Sequence, residues 1–423
     1  MGRFLRFASL IASWLFSSSL VLLSPAPAQA GGVNYVPDEV VVEVIQASDL
    51  AGVAQANGLD PMPVDQFGAR PIFRMRILDG TQPPNKANQL TNDGRVVFAD
   101  PNVIGAAPES QGFSWAQGFS WAQGFSWAQG GPSAYATQWA TDRMRLSEAH
   151  NLSTGSGVIV AVLDTGVDVT HPALAGHLIP GYDFVDNDAD PSEVGNHLGN
   201  PTYGHGTMVA GLVALAAPGA RIMPLRVLDQ DGVGNVWVLA EALQYAMNNG
   251  AQIINLSLST QLDSHVLREA LNAVTCSDTI APEDLPCYRP GGAVVVEAAG
   301  NFASQTPGFP AAYSPRGRVV VGASEPSELL ATFSNFGSWV TVEAPGDGIV
   351  SAVPGGGTGV WAGTSMAAPL VAGEVALARA VNPTLSTTDL ASYIPRSAAQ
   401  VNSVVRLRAD AASAVKLAAT GKN

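Results

Sequence analysis

The sequence contains the run Val158-Ile-Val-Ala-Val-Leu-Asp164, in which apolar residues lead directly into a carboxylate. Two similar runs follow, Ile253-Ile-Asn-Leu-Ser257 and Ala293-Val-Val-Val-Glu-Ala-Ala299. Short runs of this kind predict strands that are buried on both faces, as in a parallel sheet. The helices predicted around these strands cover residues 206–215, 238–249 and 365–380. Alternation of such strands and helices predicts an α/β fold, with its chemistry at the carboxyl ends of the strands.

Composition excludes several classes of protein. The chain has 423 residues, of which 47% are apolar and 13% charged, too few charges for a coiled coil or a disordered acidic chain. The net charge of −14 argues against a surface for binding nucleic acid. Two cysteines are too few for a disulfide scaffold or a four-thiolate metal site.

The N-terminus has the pattern of an export signal. Arg3 and Arg6 precede an apolar stretch over residues 7–23, and the small residues Ala28 and Ala30 end the segment. This pattern predicts a signal peptide over residues 1–30 that is cleaved after Ala30. A membrane anchor is the alternative, but serines interrupt the apolar stretch and no later stretch is long enough to span a membrane. We therefore expect a secreted protein, either extracellular or periplasmic.

The two cysteines bear on that expectation. Cys276 and Cys287 bracket ten residues rich in Asp, Glu and Pro. In an oxidising compartment this spacing favours a disulfide that closes a surface loop. Two unpaired buried thiols are the alternative.

Residues 31–108 have the pattern of a small separate module. Apolar or alternating runs begin at Val40, Ile72 and Arg95, and a helical stretch begins at Leu50. This order predicts an α+β domain of ordinary size.

A tandem repeat separates this module from the rest of the chain. The hexapeptide Gln-Gly-Phe-Ser-Trp-Ala occurs three times, starting at Gln111, Gln117 and Gln123. Such short repeats are typical of a low-complexity spacer, so residues 109–133 are interpreted as a linker. An aromatic strip that docks on a surface is the alternative.

Three polar residues stand where the α/β rule places a site. Asp164 ends a predicted strand, whereas His205 and Ser365 each lie at the predicted start of a helix. A serine hydroxyl attacks a carbonyl only when an imidazole accepts its proton and a carboxylate orients that imidazole. Each residue alone is a weak signal, but together they predict a catalytic triad.

The motifs around these residues resemble those of the subtilisin-like serine proteases, the subtilase family. The motifs Asp-Thr-Gly-Val-Asp, Gly-His-Gly-Thr and Gly-Thr-Ser-Met-Ala-Ala-Pro occur in the subtilisin order. The resemblance covers about residues 134–400, leaving residues 401–423 as a C-terminal tail, and is closest to thermitase-like members. It implies a three-layer sandwich with a mostly parallel sheet, preceded by an α+β propeptide, and a secreted endopeptidase. Ser365 is then the nucleophile, His205 the general base and Asp164 the orienting carboxylate.

The resemblance also implies the remaining site residues. Asn301 follows a predicted strand and matches the family's oxyanion donor, with the backbone N–H of Ser365 as the second donor. The residues that match substrate-binding positions are Gly234, Leu258, Ser259, Ala298, Gly300 and Gly308. They imply an open pocket that prefers a large apolar residue. Glu297 is expected to pair elsewhere, and to favour basic substrates if it reaches the pocket instead.

A metal site and the partners complete the expectations. Asp183, Asp186 and Asp188 resemble a thermitase-like calcium loop, with a solvated acidic loop as the alternative. No cofactor is expected for catalysis. The partners implied are protein or peptide substrates and the chain's own propeptide as an inhibitor, with no nucleic acid and no membrane, and the protein is expected to be a monomer. A catalytically silent binding protein and an esterase are the competing hypotheses.

Overall fold

The computed structural model describes residues 34–108, 132–276, 291–313 and 316–421, and these residues fall in one compact unit. The predicted signal peptide, nearly all of the linker with its three repeats, and Cys287 lie outside the described residues. These three predictions therefore remain predictions. Among the residues described, no helix is long and apolar enough to cross a membrane.

The N-terminal module consists of antiparallel strands and two helices. Its strands are β1 (Tyr35–Val44), β2 (Asp65–Gln66), β3 (Ile72–Arg76) and β4 (Val96–Ala106), and its helices are α1 (Leu50–Asn57) and α2 (Pro83–Leu90). The strand order is β2-β3-β1-β4. Strand β4 also pairs in antiparallel register with β8 (Val233–Asn235) of the larger unit. Val40, Val42 and Val44 are buried with Met75 and Leu90 in a core of the module's own. This is an α+β arrangement, as the sequence pattern predicts.

The larger unit is built on a nine-stranded sheet. Its strands are β5 (Ile159–Asp164), β6 (Tyr182–Asp183), β7 (Arg221–Arg226), β9 (Ile253–Leu256), β10 (Val294–Ala298), β11 (Arg318–Ser324), β12 (Val342–Pro345), β15 (Ala399–Gln400) and β16 (Leu407–Arg408). Their order is β15-β16-β12-β11-β10-β9-β5-β7-β6, and every pair is parallel except β15 with β16. A separate hairpin joins β13 (Ile349–Val353) and β14 (Gly357–Trp361).

Helices cover both faces of the large sheet. They are α3 (Pro132–Ala136), α4 (Trp139–Arg143), α5 (Leu146–His150), α6 (His205–Ala216), α7 (Val236–Asn248), α8 (His265–Thr275), α9 (Thr364–Val381), α10 (Thr387–Ser397) and α11 (Ala411–Thr420). Alternation along β5 sends Val160 and Val162 into a core with α6 and α9, and Ala161 and Leu163 into a second core with α7 and α8. The predicted three-layer α/β sandwich is confirmed.

The C-terminal residues differ from the sequence prediction. β16 pairs with β12 through Arg408 and Glu343, and α11 packs against α9. Val415 and neighbouring alanines of α11 are buried in the same core as α6 and α9. Residues 407–420 therefore belong to the core of the larger unit, and the interpretation of 401–423 as a tail does not hold for them. Alanine-rich helices carry little polarity contrast, which is why their burial is hard to read from sequence.

Candidate active site

Asp164 and His205 meet at the carboxyl edge of the sheet. Asp164 is the last residue of β5 and His205 the first of α6. His205 Nδ1 lies 2.7 Å from Asp164 Oδ1, and both side chains are buried. A Cβ atom on Gly206 would lie 2.1 Å from the carbonyl oxygen of Gly166, so only glycine lets the helix start this close to the loop after β5. The small residues of the two motifs therefore allow the contact between acid and imidazole.

Ser365 lies at the same edge of the sheet. It is the second residue of α9, and its carbonyl oxygen accepts a hydrogen bond from the hydroxyl of Ser257, just after β9, at 3.1 Å. α9 packs along α6, and the ring of Trp361, four residues before Ser365, lies 5.4 Å from the ring of His205. The three triad candidates thus lie at the end of a strand and in the first turns of two helices that pack together.

Asn301 is bound to the start of the same helix. Its Oδ1 accepts hydrogen bonds from the backbone N–H and the hydroxyl of Thr364, at 2.9 and 2.8 Å. The backbone N–H of Gly300 in turn donates to the Thr364 hydroxyl at 3.0 Å. Because the oxygen of the amide faces Thr364, the amino group is the end directed elsewhere. The sequence analysis gave no role to Thr364, which belongs to the motif around Ser365, or to Ser257, which precedes Leu258.

The end of strand β4 lies between the segments that carry two of the predicted substrate-binding residues, Gly234 and Ser259. Gly105 pairs with Gly234 in antiparallel register, and the backbone N–H of Ala107 donates to Gly232 O at 2.9 Å. On the other side, Ala106 and Ser259 exchange two backbone hydrogen bonds, each 2.9 Å long. The chain's own residues 104–107 thus form a third strand between the two predicted substrate-binding segments.

The other predicted pocket residues lie at or just after the ends of strands β9 and β10, or beside the Ser259 segment. Leu258 is buried beside Ser259, and Ala298 is buried at the end of β10. Gly300 has a φ of +99°, and a Cβ there would lie 2.6 Å from Asn335 Nδ2, so glycine is required. A Cβ on Gly308 would lie 3.1 Å from the carbonyl oxygen of Thr260, which places this residue beside the Ser259 segment.

Glu297 does not contribute a charge to this cleft. The side chain is fully buried and its carboxylate pairs with Arg318 at 3.3 Å. Burial raises the pKa of Glu297, while the charge of Arg318 lowers it. The structure thus agrees with the expectation that Glu297 pairs elsewhere.

The residues of the expected calcium loop are arranged around an arginine. Arg226 Nη1 lies 2.5 Å from carboxylate oxygens of both Asp183 and Asp186. Asp188 instead accepts the backbone N–H of Asp190 at 2.8 Å. In the described part of the chain, no group of three or more His, Cys, Asp or Glu residues is placed to hold a metal ion. The loop as folded does not fit calcium, because the guanidinium occupies the place between the carboxylates that a cation would take.

Comparisons with known proteins agree with this geometry. Residues 155–414 match the model of the Subtilase family. The chain is 36% identical over 356 residues to the thermophilic serine proteinase of Bacillus sp. (strain AK1), covering 81% of this chain and 78% of that protein. It is also 36% identical over 256 residues to thermitase of Thermoactinomyces vulgaris, covering 58% of this chain and 83% of thermitase.

A solved structure extends the likeness of the fold. Fervidolysin from Fervidobacterium pennivorans, described as a keratinolytic enzyme related to subtilisin, superposes with a TM-score of 0.71 at 22% identity. The superposition covers 90% of this chain and 61% of that one, so the shared fold extends beyond the family match. The family match and the identities above 30% decide the classification: the chain belongs to the subtilase family and is a subtilisin-like serine protease.

Proposed function

We propose that the protein is a secreted serine endopeptidase that hydrolyses peptide bonds through Ser365, His205 and Asp164. The observation that carries this proposal is the buried 2.7 Å contact between Asp164 and His205, at the sheet edge where α9 presents Ser365. The export signal over residues 1–30 supports secretion.

In the proposed reaction, the triad and the oxyanion donors act first in forming an acyl-enzyme and then in hydrolysing it. His205 donates its Nδ1 proton to the hydrogen bond with Asp164, and its Nε2 accepts the proton of the Ser365 hydroxyl as the oxygen attacks the substrate carbonyl. The oxyanion receives hydrogen bonds from the side-chain amide of Asn301 and the backbone N–H of Ser365. His205 then protonates the leaving amine as the peptide bond breaks, which leaves an acyl-enzyme. Water then attacks the acyl-enzyme in the same way, with His205 again acting as base and then as acid, and the carboxylic acid product leaves Ser365.

The N-terminal module is proposed to act as an inhibitory propeptide. The pairing of Ala106 with Ser259 supports this role, because it fills the cleft with the module's own strand. Counting two residues along antiparallel partners puts Pro108 opposite Ser257, the residue that contacts Ser365. The last described residue of the module would thus lie near the nucleophile. We infer that the enzyme is made as a zymogen and cuts itself.

The pocket is proposed to accept a large apolar or aromatic side chain before the scissile bond. The pairing of Glu297 with Arg318 supports this preference, since that carboxylate is then not available to attract a basic side chain. Cleavage of a peptide library should show aromatic or large aliphatic residues at that position. Preference for Lys or Arg would contradict the proposal.

Incubation with casein and with an irreversible serine reagent tests the function. The proposed endopeptidase hydrolyses casein and takes up the reagent on Ser365, and the Ser365→Ala variant does neither. A silent binding protein shows no labelling, and an esterase shows labelling without hydrolysis of casein. Either of these results would overturn the proposal.

A second experiment tests the zymogen. The Ser365→Ala variant is expected to accumulate as the uncut proform, whereas the wild-type chain is trimmed. Trimming of purified Ser365→Ala would show that another protease performs maturation.

A further inference from the structure

The carboxylate of Glu193 lies between the loop after β5 and the first turn of α6. Its Oε1 accepts the backbone N–H and the hydroxyl of Thr207, both at 3.0 Å, and its Oε2 accepts the backbone N–H of Gly204 at 3.2 Å. The hydroxyl of Thr165 lies 3.2 Å from each oxygen. Glu193 thus contacts the neighbour of Asp164 in the chain and the neighbour of His205.

The two threonine hydroxyls extend these contacts across the site. Thr165 Oγ1 also accepts the backbone N–H of Gly206, at 3.0 Å, and Thr207 Oγ1 accepts the backbone N–H of Asp168, at 2.8 Å. Each hydroxyl therefore donates to Glu193 and accepts from the opposite segment. The relative position of β5 and α6, and with it the contact between Asp164 and His205, depends on this network.

We propose that Glu193 is a positioning residue for the Asp164–His205 pair, and that its negative charge also stabilises the imidazolium formed during catalysis. This role rests on the proposed function of the triad. The hydrogen bonds found for Glu193 among the described residues come from Thr165, Gly204 and Thr207, so it acts on the triad through other residues. A carboxylate at the N-terminus of a helix also opposes the positive end of the helix dipole, which otherwise disfavours a protonated histidine there.

The charges around Glu193 agree with this role. Burial raises the pKa of Glu193 to about 7, and the charge of Asp164 adds to that rise. Among the described residues Tyr203 also faces Glu193, and its pKa is raised mainly by burial and further by the charge of Glu193. Glu193 is then mostly ionised at pH 8, where it acts as a second carboxylate behind the triad.

Two substitutions separate position from charge. Glu193→Gln keeps the shape of the side chain but loses one hydrogen bond, because its amide nitrogen cannot accept from the backbone N–H that it faces. Glu193→Ala removes every hydrogen bond to the carboxylate and leaves those that the two threonine hydroxyls accept. Asp190→Asn is the matched control, since Asp190 is an exposed carboxylate of the same loop that binds Ser192. All variants are prepared as the full chain and matured, and kcat and KM are measured from pH 5.5 to 9.5 beside the thermal melting curve.

In Glu193→Gln we expect the acid limb of kcat/KM to move to lower pH by roughly half a unit, because loss of the negative charge disfavours the imidazolium. In Glu193→Ala we expect kcat to fall on the order of 10–100-fold with KM almost unchanged, because the reacting groups are misplaced while the cleft is intact. Asp190→Asn should match the wild type, since its exposed charge is screened.

A shift of the acid limb is a readout that a merely structural residue would not produce. The proposal is overturned if Glu193→Gln keeps the wild-type pH profile, or if Glu193→Ala changes KM instead of kcat. If Glu193→Ala fails to fold, the Glu193→Gln profile alone decides. Turnover by the wild type is a separate result: its absence would overturn the proposed function, whereas an active wild type with unchanged variants would overturn only the role of Glu193.

Discussion

Thr364 donates two hydrogen bonds to Asn301, one from its backbone N–H at 2.9 Å and one from its hydroxyl at 2.8 Å. The residue that precedes the proposed nucleophile thus fixes the amide proposed to bind the oxyanion. The start of α9 therefore positions both proposed donors of the oxyanion hole. A donor held in place before the reaction needs no reorganisation when charge develops.

The first prediction concerns this hydroxyl. Thr364→Val removes one bond to Asn301 and the acceptor for Gly300 N–H, and we expect kcat to fall on the order of tenfold with KM unchanged. Thr364→Ser keeps the hydroxyl and is expected to remain near wild type. Asn301→Ala is the benchmark, with an expected loss of about 10²–10³ in kcat, the range for this type of donor in subtilisin. Equal kcat in Thr364→Val and wild type would show that the hydroxyl does not position the amide.

The second prediction concerns the loop in which Arg226 binds Asp183 and Asp186. Because a guanidinium already neutralises these carboxylates, a calcium chelator should leave the melting temperature of the wild type unchanged. Arg226→Met leaves Asp183 buried without its partner and should lower the free energy of unfolding by about 3–5 kcal/mol. Adding Asp183→Asn to that variant should recover part of the loss. A marked drop in the wild-type melting temperature on chelation would contradict this account.

The third prediction is a pH dependence of stability from Glu374, which is fully buried in α9. Burial raises the pKa of Glu374 to about 8, and the charge of Asp410 contributes. The folded state therefore favours the protonated form, so the contribution of Glu374 to stability is fully present below about pH 4.5 and is lost as the pH rises to about 8. The melting temperature of Glu374→Gln should fall less between pH 5 and pH 9 than that of the wild type. Glu325→Gln serves as a control, and an identical loss in Glu374→Gln and wild type would contradict the prediction.

The fourth prediction concerns release of the N-terminal module. Asp65 of the module accepts a hydrogen bond from Trp237 Nε1 in α7 at 3.2 Å, and Glu241 lies one turn further along that helix. Burial raises the pKa of Glu241 to about 8, and the hydrogen bond with Asp65 adds to the rise. The bound state thus favours the protonated carboxyl, and ionisation puts two negative charges at the interface. Binding of the module should weaken as the pH rises toward and through 8.

That prediction is measured on Ser365→Ala protein nicked in the linker by an added protease. Gel filtration should retain the module at pH 6 and separate more of it at pH 9, and Glu241→Gln should reduce the difference. Equal retention at both pH values would contradict it.

Local patterns predicted the parts of the molecule that depend on neighbours in the chain. The apolar run ending at Asp164 predicted β5, and the run over residues 206–215 predicted α6. The motifs around Ser365 and Asn301 predicted both as site residues. In the fold, Thr364, the neighbour of Ser365, is hydrogen-bonded to Asn301. These features are local, so they leave a periodic or compositional trace in the sequence.

Features that depend on distant partners left no such trace. Asp183 and Asp186 have the spacing of a cation loop, and only the fold brings Arg226, about forty positions later, between them. Glu193 stands in a polar loop like many others, and its role follows from contacts with Thr165 and Thr207. The burial of α11 depends on its packing against α9. Its small side chains give no sequence pattern from which that packing could be predicted.

The central claim is that Ser365, His205 and Asp164 act as one unit. Its most direct test is the kcat of Ser365→Ala, of His205→Ala and of the variant carrying both substitutions, on one peptide substrate. Groups that act as a unit give a double variant no slower than either single one, because each substitution already removes the same pathway. We predict that all three variants share one low residual rate. A double variant whose loss is the product of the two single losses would show that the residues act independently and would contradict the account.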